Sequence, residues 1–201
     1  MPLKALALNC TLKSSPQASS TDKLLDEVLE VLAEQGVEGE QLRLADLDIK
    51  PGVSSDEGAG DQWPPIRQKI LEADLLLLGT PIWLGQPSSL CKRALERMDA
   101  FLGETDRAGR MVSYGTVAMV AVVGNEDGAH HVSAELYQAL NDVGFSIAPN
   151  AVTYWVGEAM HGTDYQDLDG TPDVVDNATR MMVRNAVHLA RLLKDNSYPG
   201  Q

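Results

Sequence analysis

The stretch Thr80-Pro81-Ile82-Trp83-Leu84-Gly85-Gln86-Pro87-Ser88-Ser89 combines a flat apolar ring, two prolines and a glycine. Such a set suits a planar heterocycle, gripped by ring contact with Trp83 and by main-chain hydrogen bonds where Gly85 lets the backbone come close. Before it runs Leu75-Leu76-Leu77-Leu78-Gly79, and after it an amphipathic segment carries Leu90, Ala94 and Met98. A buried strand that ends in a loop and then opens a helix places that loop at the carboxyl edge of an open α/β sheet, where ligands sit. A plain strand-to-helix turn with Trp83 in the core is the simpler alternative, and the two prolines and the glycine weigh against it.

Two further stretches carry compatible chemistry. Asn9-Cys10-Thr11-Leu12-Lys13-Ser14-Ser15-Pro16-Gln17-Ala18-Ser19-Ser20-Thr21 is dense in hydroxyls and leads into a helix. A helix start presents unpaired N–H groups and a positive partial charge, which suit a phosphate. Thr11, Ser19, Ser20 and Thr21 can donate hydroxyl hydrogen bonds, and Lys13 offers a counter-charge; taken alone, the stretch reads equally well as a flexible loop with Ser20 as N-cap. Neither G-x-G-x-x-G nor a phosphate-loop Lys-Ser/Thr is present, so a mononucleotide phosphate fits better than a dinucleotide or triphosphate.

The second of these, Val123-Gly124-Asn125-Glu126-Asp127-Gly128-Ala129-His130-His131, follows another apolar run. Gly124 and Gly128 permit tight backbone approach, and the Asn125 amide can read a pyrimidine edge. Glu126 and Asp127 stand at a helix start, where carboxylates favour the dipole. The adjacent His130 and His131 cannot face one metal ion from a helix, and no third ligand matches them, so no metal site is expected.

These stretches must be positioned by an alternation of strands and helices. Leu3–Asn9, Glu40–Leu44, Leu75–Gly79, Thr116–Val123 and Phe145–Val152 read as strands. Helices are expected over Thr21–Gln35, Pro65–Ala73, Ser88–Phe101, from Val132 to Val143, and over Asp173–Lys194, the last with Ala178, Met181, Met182, Ala186, Leu189 and Leu193 inward. Asp46–Gln62, rich in Gly, Ser, Asp and Pro, is expected to be irregular. The alternation predicts a flavodoxin-like α/β three-layer sandwich whose five-stranded parallel sheet has order 2-1-3-4-5. With no repeat, low-complexity tract or inter-domain linker, one domain is expected over residues 1–195, with a loose tail at 196–201.

Bulk composition narrows the function classes. The chain has 201 residues and a formal net charge of −13, from sixteen Lys and Arg against twenty-nine Asp and Glu. Nucleic-acid binding needs a concentrated basic face, which this balance does not provide. The acidity suits solubility, or docking to a basic redox partner. Cys10 and Cys91 belong to no C-x-x-C or Cys/His cluster, which argues against metal and iron–sulfur sites. With no membrane-length apolar run and no signal-peptide pattern, a cytoplasmic setting is expected.

The hydroxyl-rich first loop, Thr80-Pro81-Ile82-Trp83-Leu84-Gly85 and Gly124-Asn125-Glu126-Asp127-Gly128, in this order, resemble the flavodoxin-like NAD(P)H-dependent FMN reductase family. That group includes the tryptophan-repressor-binding-protein-like quinone reductases. The resemblance runs from Leu3 to about Leu193. It implies FMN as cofactor and NAD(P)H as co-substrate, with electrons passed to a quinone or similar small acceptor. It places Thr11, Lys13, Ser19, Ser20 and Thr21 at the phosphate, Pro81, Ile82, Trp83, Leu84 and Gly85 along the ring, and Gly124, Asn125, Glu126, Asp127 and Gly128 on its other side. Tyr154, Trp155 and His161 would border the substrate face, although Trp155 reads slightly better as core or subunit interface. The family's commoner first loop begins Gly-Ser and holds an arginine, where this chain has Asn9-Cys10-Thr11 and Lys13.

A bound flavin would carry the chemistry, so no protein nucleophile or general acid is assigned. The resemblance further implies a homodimer or dimer of dimers. An electron carrier of the flavodoxin type is the alternative, supported by acidity but not by a single well-placed aromatic, Trp83. A flavodoxin-like fold with no cofactor ranks third, since the middle loop is intact.

Overall fold

The computed structural model describes residues 2–200. Its sheet is built from β1 (Leu3–Asn9), β2 (Val37–Arg43), β3 (Leu75–Trp83), β5 (Val117–Val123) and β6 (Ser146–Trp155), paired in the order β2-β1-β3-β5-β6. All four pairings are parallel. The two-residue β4 (Gln86–Pro87) folds back antiparallel on the end of β3, with Ile82 opposite Pro87 and Trp83 opposite Gln86. Leaving β4 aside, the order is the 2-1-3-4-5 of the flavodoxin-like fold.

The central strands read as continuous apolar runs because both faces are covered. All seven residues of β5 are buried. On one face lie α2 (Trp63–Glu72), α3 (Ser89–Met98) and α4 (Ala129–Asp142), which contribute Trp63, Ile70, Met98 and Leu136 to one core. On the other lie α1 (Ser20–Glu34) and α5 (Asp173–Asp195), which contribute Leu24, Leu25, Val28, Met182 and Val187. Each helix shows one apolar stripe because it faces the sheet on one side only.

Several expectations need correction. The segment expected to leave the sheet at Thr80 stays in it: β3 continues to Trp83, and the turn is confined to Leu84 and Gly85. Pro81 is tolerated because it lies near the strand's end. Likewise β6 runs on to Trp155, so Tyr154 and Trp155 are strand residues. Along α5 the buried set is Val175, Thr179, Met182, Val183, Ala186, Val187, Ala190 and Leu193, while Met181 is 40% exposed. The buried stripe follows one face of the helix, and Met181 falls outside it.

Irregular stretches are anchored by specific bonds. Fully buried Arg97 reaches from α3 into the excursion after β2, donating to the carbonyls of Lys50 and Ser54 at 3.0 Å each and to Asp61 at 2.7 Å. Asp61 also accepts from the main-chain N–H of Lys50, Glu57 and Trp63. Burial alone would raise the Asp61 carboxyl, but these hydrogen bonds hold it well below its ordinary value. After α5, Tyr198 packs edge-on against Tyr114, and its hydroxyl lies 2.9 Å from that of Ser146, so the tail carries an anchor. Among the described residues, no helix is long and apolar enough to cross a membrane.

Candidate functional site

The carboxyl ends of β1, β3 and β5 carry three loops to one edge of the sheet, where they line an open cleft. Thr11, Leu12, Lys13, Ser19, Ser20 and Thr21 line one wall. Pro81, Ile82 and Trp83 form the second, and Val123, Gly124 and Asn125 the third. One further residue, Asp164, arrives from the segment between β6 and α5.

The first wall has the donor set an anionic group needs. Ser19 is the N-cap of α1, yet its side chain makes no capping hydrogen bond, so the first-turn N–H groups are left without that partner. Ser20 Oγ accepts from the Gln166 N–H at 3.2 Å, which leaves the Ser20 proton to donate elsewhere. Lys13 supplies the local positive charge, its Nζ donating to the Ala18 carbonyl at 3.2 Å.

The first loop is held from behind. Buried Asn9 accepts from the Thr11 N–H at 3.0 Å and donates to Asp22 at 2.9 Å. Arg43 pairs with Asp22 at 2.7 Å and donates to the Gln17 carbonyl at 2.8 Å. Ser15 binds Asp46 through both its hydroxyl and its N–H at 2.7 Å, and these two bonds lower the Asp46 carboxyl below its ordinary value.

At the second wall, the hairpin of β3 and β4 presents Trp83, 54% exposed, with Leu84 at φ 54 and 92% exposed. Its turn lies against the third loop. A Cβ on Gly128, whose φ is 130, would fall 2.8 Å from the Cα of Gly85, so glycine is required there. The Leu84 N–H donates to Glu126 Oε1 at 3.0 Å across the same contact. Leu84, Gly85, Glu126, Asp127 and Gly128 therefore join the two loops rather than line the cleft. Asp127 lies on a neighbouring cleft with His130, His131 and Tyr154.

Of the three residues expected at the substrate face, none lines this cleft. Trp155 packs on Tyr165 with ring centroids 5.3 Å apart, in the core beneath α1 and α5. Tyr154 turns to the opposite side and its hydroxyl lies 3.1 Å from His130 Nε2. His161 is exposed and paired with Glu158 at 2.8 Å. Strand alternation separates Tyr154 from Trp155, which a loop reading of the segment hid.

Asp164 had no signal in the sequence beyond one acidic residue in a polar loop. Its place is set by its neighbours. Tyr165 is fully buried and its hydroxyl donates to Glu27; burial first, and that carboxylate second, push the hydroxyl's pKa well up. Lys23 Nζ donates to the carbonyls of Tyr165 and Leu168 at 3.3 and 2.8 Å. The segment is thus fastened to α1, and Asp164 faces Asn125, whose Nδ2 donates to it at 3.1 Å.

The cysteines sit behind the loops, both fully buried and free. Burial, with the neighbouring Cys91 thiol, pushes the Cys10 thiol well up, so it is a poor nucleophile. Among the described residues, no group of three or more His, Cys, Asp or Glu is placed to hold a metal ion.

The model of one protein family, described as NADPH-dependent FMN reductase, matches residues 3–160. An 8-demethyl-8-aminoriboflavin-5'-phosphate synthase from Streptomyces davaonensis is 38% identical over 98% of this chain and 81% of its own length. A divalent metal cation transporter, MntH of Mycobacterium bovis, is 37% identical over 96% of this chain; the match spans 29% of the transporter's own length. Among solved structures, RosB with the bound intermediate 8-demethyl-8-formylriboflavin-5'-phosphate superposes with a TM-score of 0.89 at 34% identity, over 98% of this chain and 82% of RosB.

Proposed function

The chain belongs to the NADPH-dependent FMN reductase family, and from that premise we propose that it holds FMN in the three-loop cleft and passes electrons from NAD(P)H to a quinone or similar small acceptor. The observation that carries this reading is the division of one cleft into two chemistries. One wall is hydroxyls, Lys13 and the start of α1 with its unengaged N-cap; the other is Pro81, Ile82 and Trp83, flat and apolar. A flavin mononucleotide has a phosphate at one end and a planar ring at the other, so the residues present fit it.

Bound FMN would supply reversible two-electron transfer. The protein's part is to bind and orient. Thr11, Lys13, Ser19, Ser20 and Thr21 would hold the phosphate, Trp83 would give ring contact, and Asn125 would read the ring's polar edge. Leu12, Trp83, Leu84 and Met160 are exposed apolar side chains around this edge of the sheet. A second copy of the chain covering them would complete the proposed homodimer and shield the ring from water.

The test begins with incubation in FMN, desalting and a visible spectrum, followed by anaerobic NADPH or NADH. A retained flavin band that bleaches within seconds, and returns on adding a quinone, is expected. A retained band that neither nucleotide bleaches would replace the reductase by an electron carrier. No retained band would sink the FMN reading.

A second reading has its own observation, the 38% identity to a synthase of a modified riboflavin phosphate over nearly the whole chain. In it, the flavin phosphate is the substrate and leaves the cleft chemically altered. Mass analysis of the flavin released after turnover separates the two: unchanged FMN supports the reductase, and a flavin of new mass supports the modifying enzyme.

A further inference from the structure

We propose that Asp164 fixes the polarity of the Asn125 carboxamide so that its oxygen accepts from the imide N–H of the bound heterocycle; this rests on the FMN reading above. Asn125 Nδ2 donates to Asp164 Oδ1 at 3.1 Å, and both residues line the cleft. A carboxylate offers only acceptors, so the amide end that faces Asp164 must be the NH₂. The carboxamide is planar, and Oδ1 is thereby directed away from Asp164. Among the described residues, no donor pairs with Asn125 Oδ1, whereas the main chain around it is engaged: the Gly124 N–H donates to the Trp155 carbonyl at 3.0 Å and the Met160 N–H to the Asn125 carbonyl at 2.6 Å.

Both partners are fixed by independent means. Asn125 stands two residues beyond β5, whose seven residues are all buried. Asp164 precedes the stretch fastened to α1 through Ser20, Lys23 and Glu27. The main chain at each residue is held without the other, and their side-chain hydrogen bond chooses between two orientations of one amide. Without Asp164 the NH₂ and the oxygen of Asn125 compete for the cleft.

The choice matters because the pyrimidine edge of an isoalloxazine alternates acceptor, donor, acceptor: two carbonyls flank the N3–H. An amide oxygen selects the N–H, and an amide NH₂ would select a carbonyl. Asp164 is therefore a positioning residue, and the ligand feature it selects is an imide proton. Methylation of N3 removes that proton and nothing else from the edge's hydrogen-bonding pattern.

The test titrates the flavin-free protein with FMN and with N3-methyl-FMN, following flavin fluorescence. The wild type is expected to bind FMN about tenfold more tightly than the methylated analogue, the worth of one hydrogen bond. In Asp164→Ala the amide divides between its two orientations, so the ratio should fall by about twofold or more, with the affinity for N3-methyl-FMN unchanged. Asn125→Ala removes the acceptor and should bring the ratio to within about twofold of unity, and it carries the test if circular dichroism shows that Asp164→Ala has not folded. A wild-type ratio near unity, or a ratio that survives in either variant, overturns the proposal while leaving FMN binding in place. A wild type that takes up neither flavin overturns the FMN reading and this one with it.

Discussion

Ser88 Oγ donates to the main-chain carbonyl of Cys10 at 2.6 Å, joining residues 78 positions apart in the chain. The same oxygen accepts from the Cys91 N–H at 3.1 Å as the N-cap of α3, and the Ser88 N–H donates to Thr80 Oγ1 at 3.0 Å. One buried serine therefore holds the end of β1, the end of β3 and the start of α3 in register.

Ser88→Ala removes a cap and leaves a buried carbonyl without its donor. It should lower unfolding stability by about 2 kcal/mol. Urea denaturation monitored by tryptophan fluorescence measures it, and an unchanged midpoint would show that the loops are held by other means.

The Lys13 ammonium is the one cation lining the cleft among the described residues. Lys13→Ala should weaken FMN by about tenfold and leave riboflavin, which lacks the phosphate, within about twofold. Equal losses for both flavins would place Lys13 away from the phosphate.

Gly128→Ala places a methyl group 2.8 Å from the Cα of Gly85 at a φ of 130 that side chains rarely adopt. The turn and the third loop must then separate. Loss of FMN retention on desalting is expected with the far-UV spectrum unchanged, and retention equal to wild type would refute the close approach.

The Arg97–Asp61 pair is fully buried. The folded Asp61 carboxyl lies below its unfolded value of about 3.9, so its contribution is present above that pH and lost as pH falls towards the folded value. Asp61→Asn should cost about 3 kcal/mol near neutral pH, because it strands a buried guanidinium. It should also flatten the fall in stability below about pH 4. Denaturation midpoints across that range test both, and a variant with the wild-type acid slope would reject the assignment.

The sheet was legible because its central strands are covered on both faces and so read as unbroken apolar runs. The three loops were legible because strand ends mark them. Local period misled where tertiary contacts decide: Pro81 looked like loop, yet β3 continues through it beside β5. Met181 looked inward, yet the stripe that faces the sheet runs through Val175, Thr179, Val183, Ala186 and Ala190, and Met181 lies beside it. Asp164 was not legible at all, since nothing near it in the chain shows that Lys23, on the first helix, grips the stretch that follows it.

Lys23 and Glu27 grip residues 165–168 from the side of α1. The matched family span ends at residue 160, so Asp164 lies outside the common frame while touching Asn125 within it. The stretch between β6 and α5 is bolted to the face of α1, and it meets the sheet where Tyr165 packs on Trp155. A change confined to Asp164 would alter what faces Asn125 while leaving the Trp155–Tyr165 contact in place.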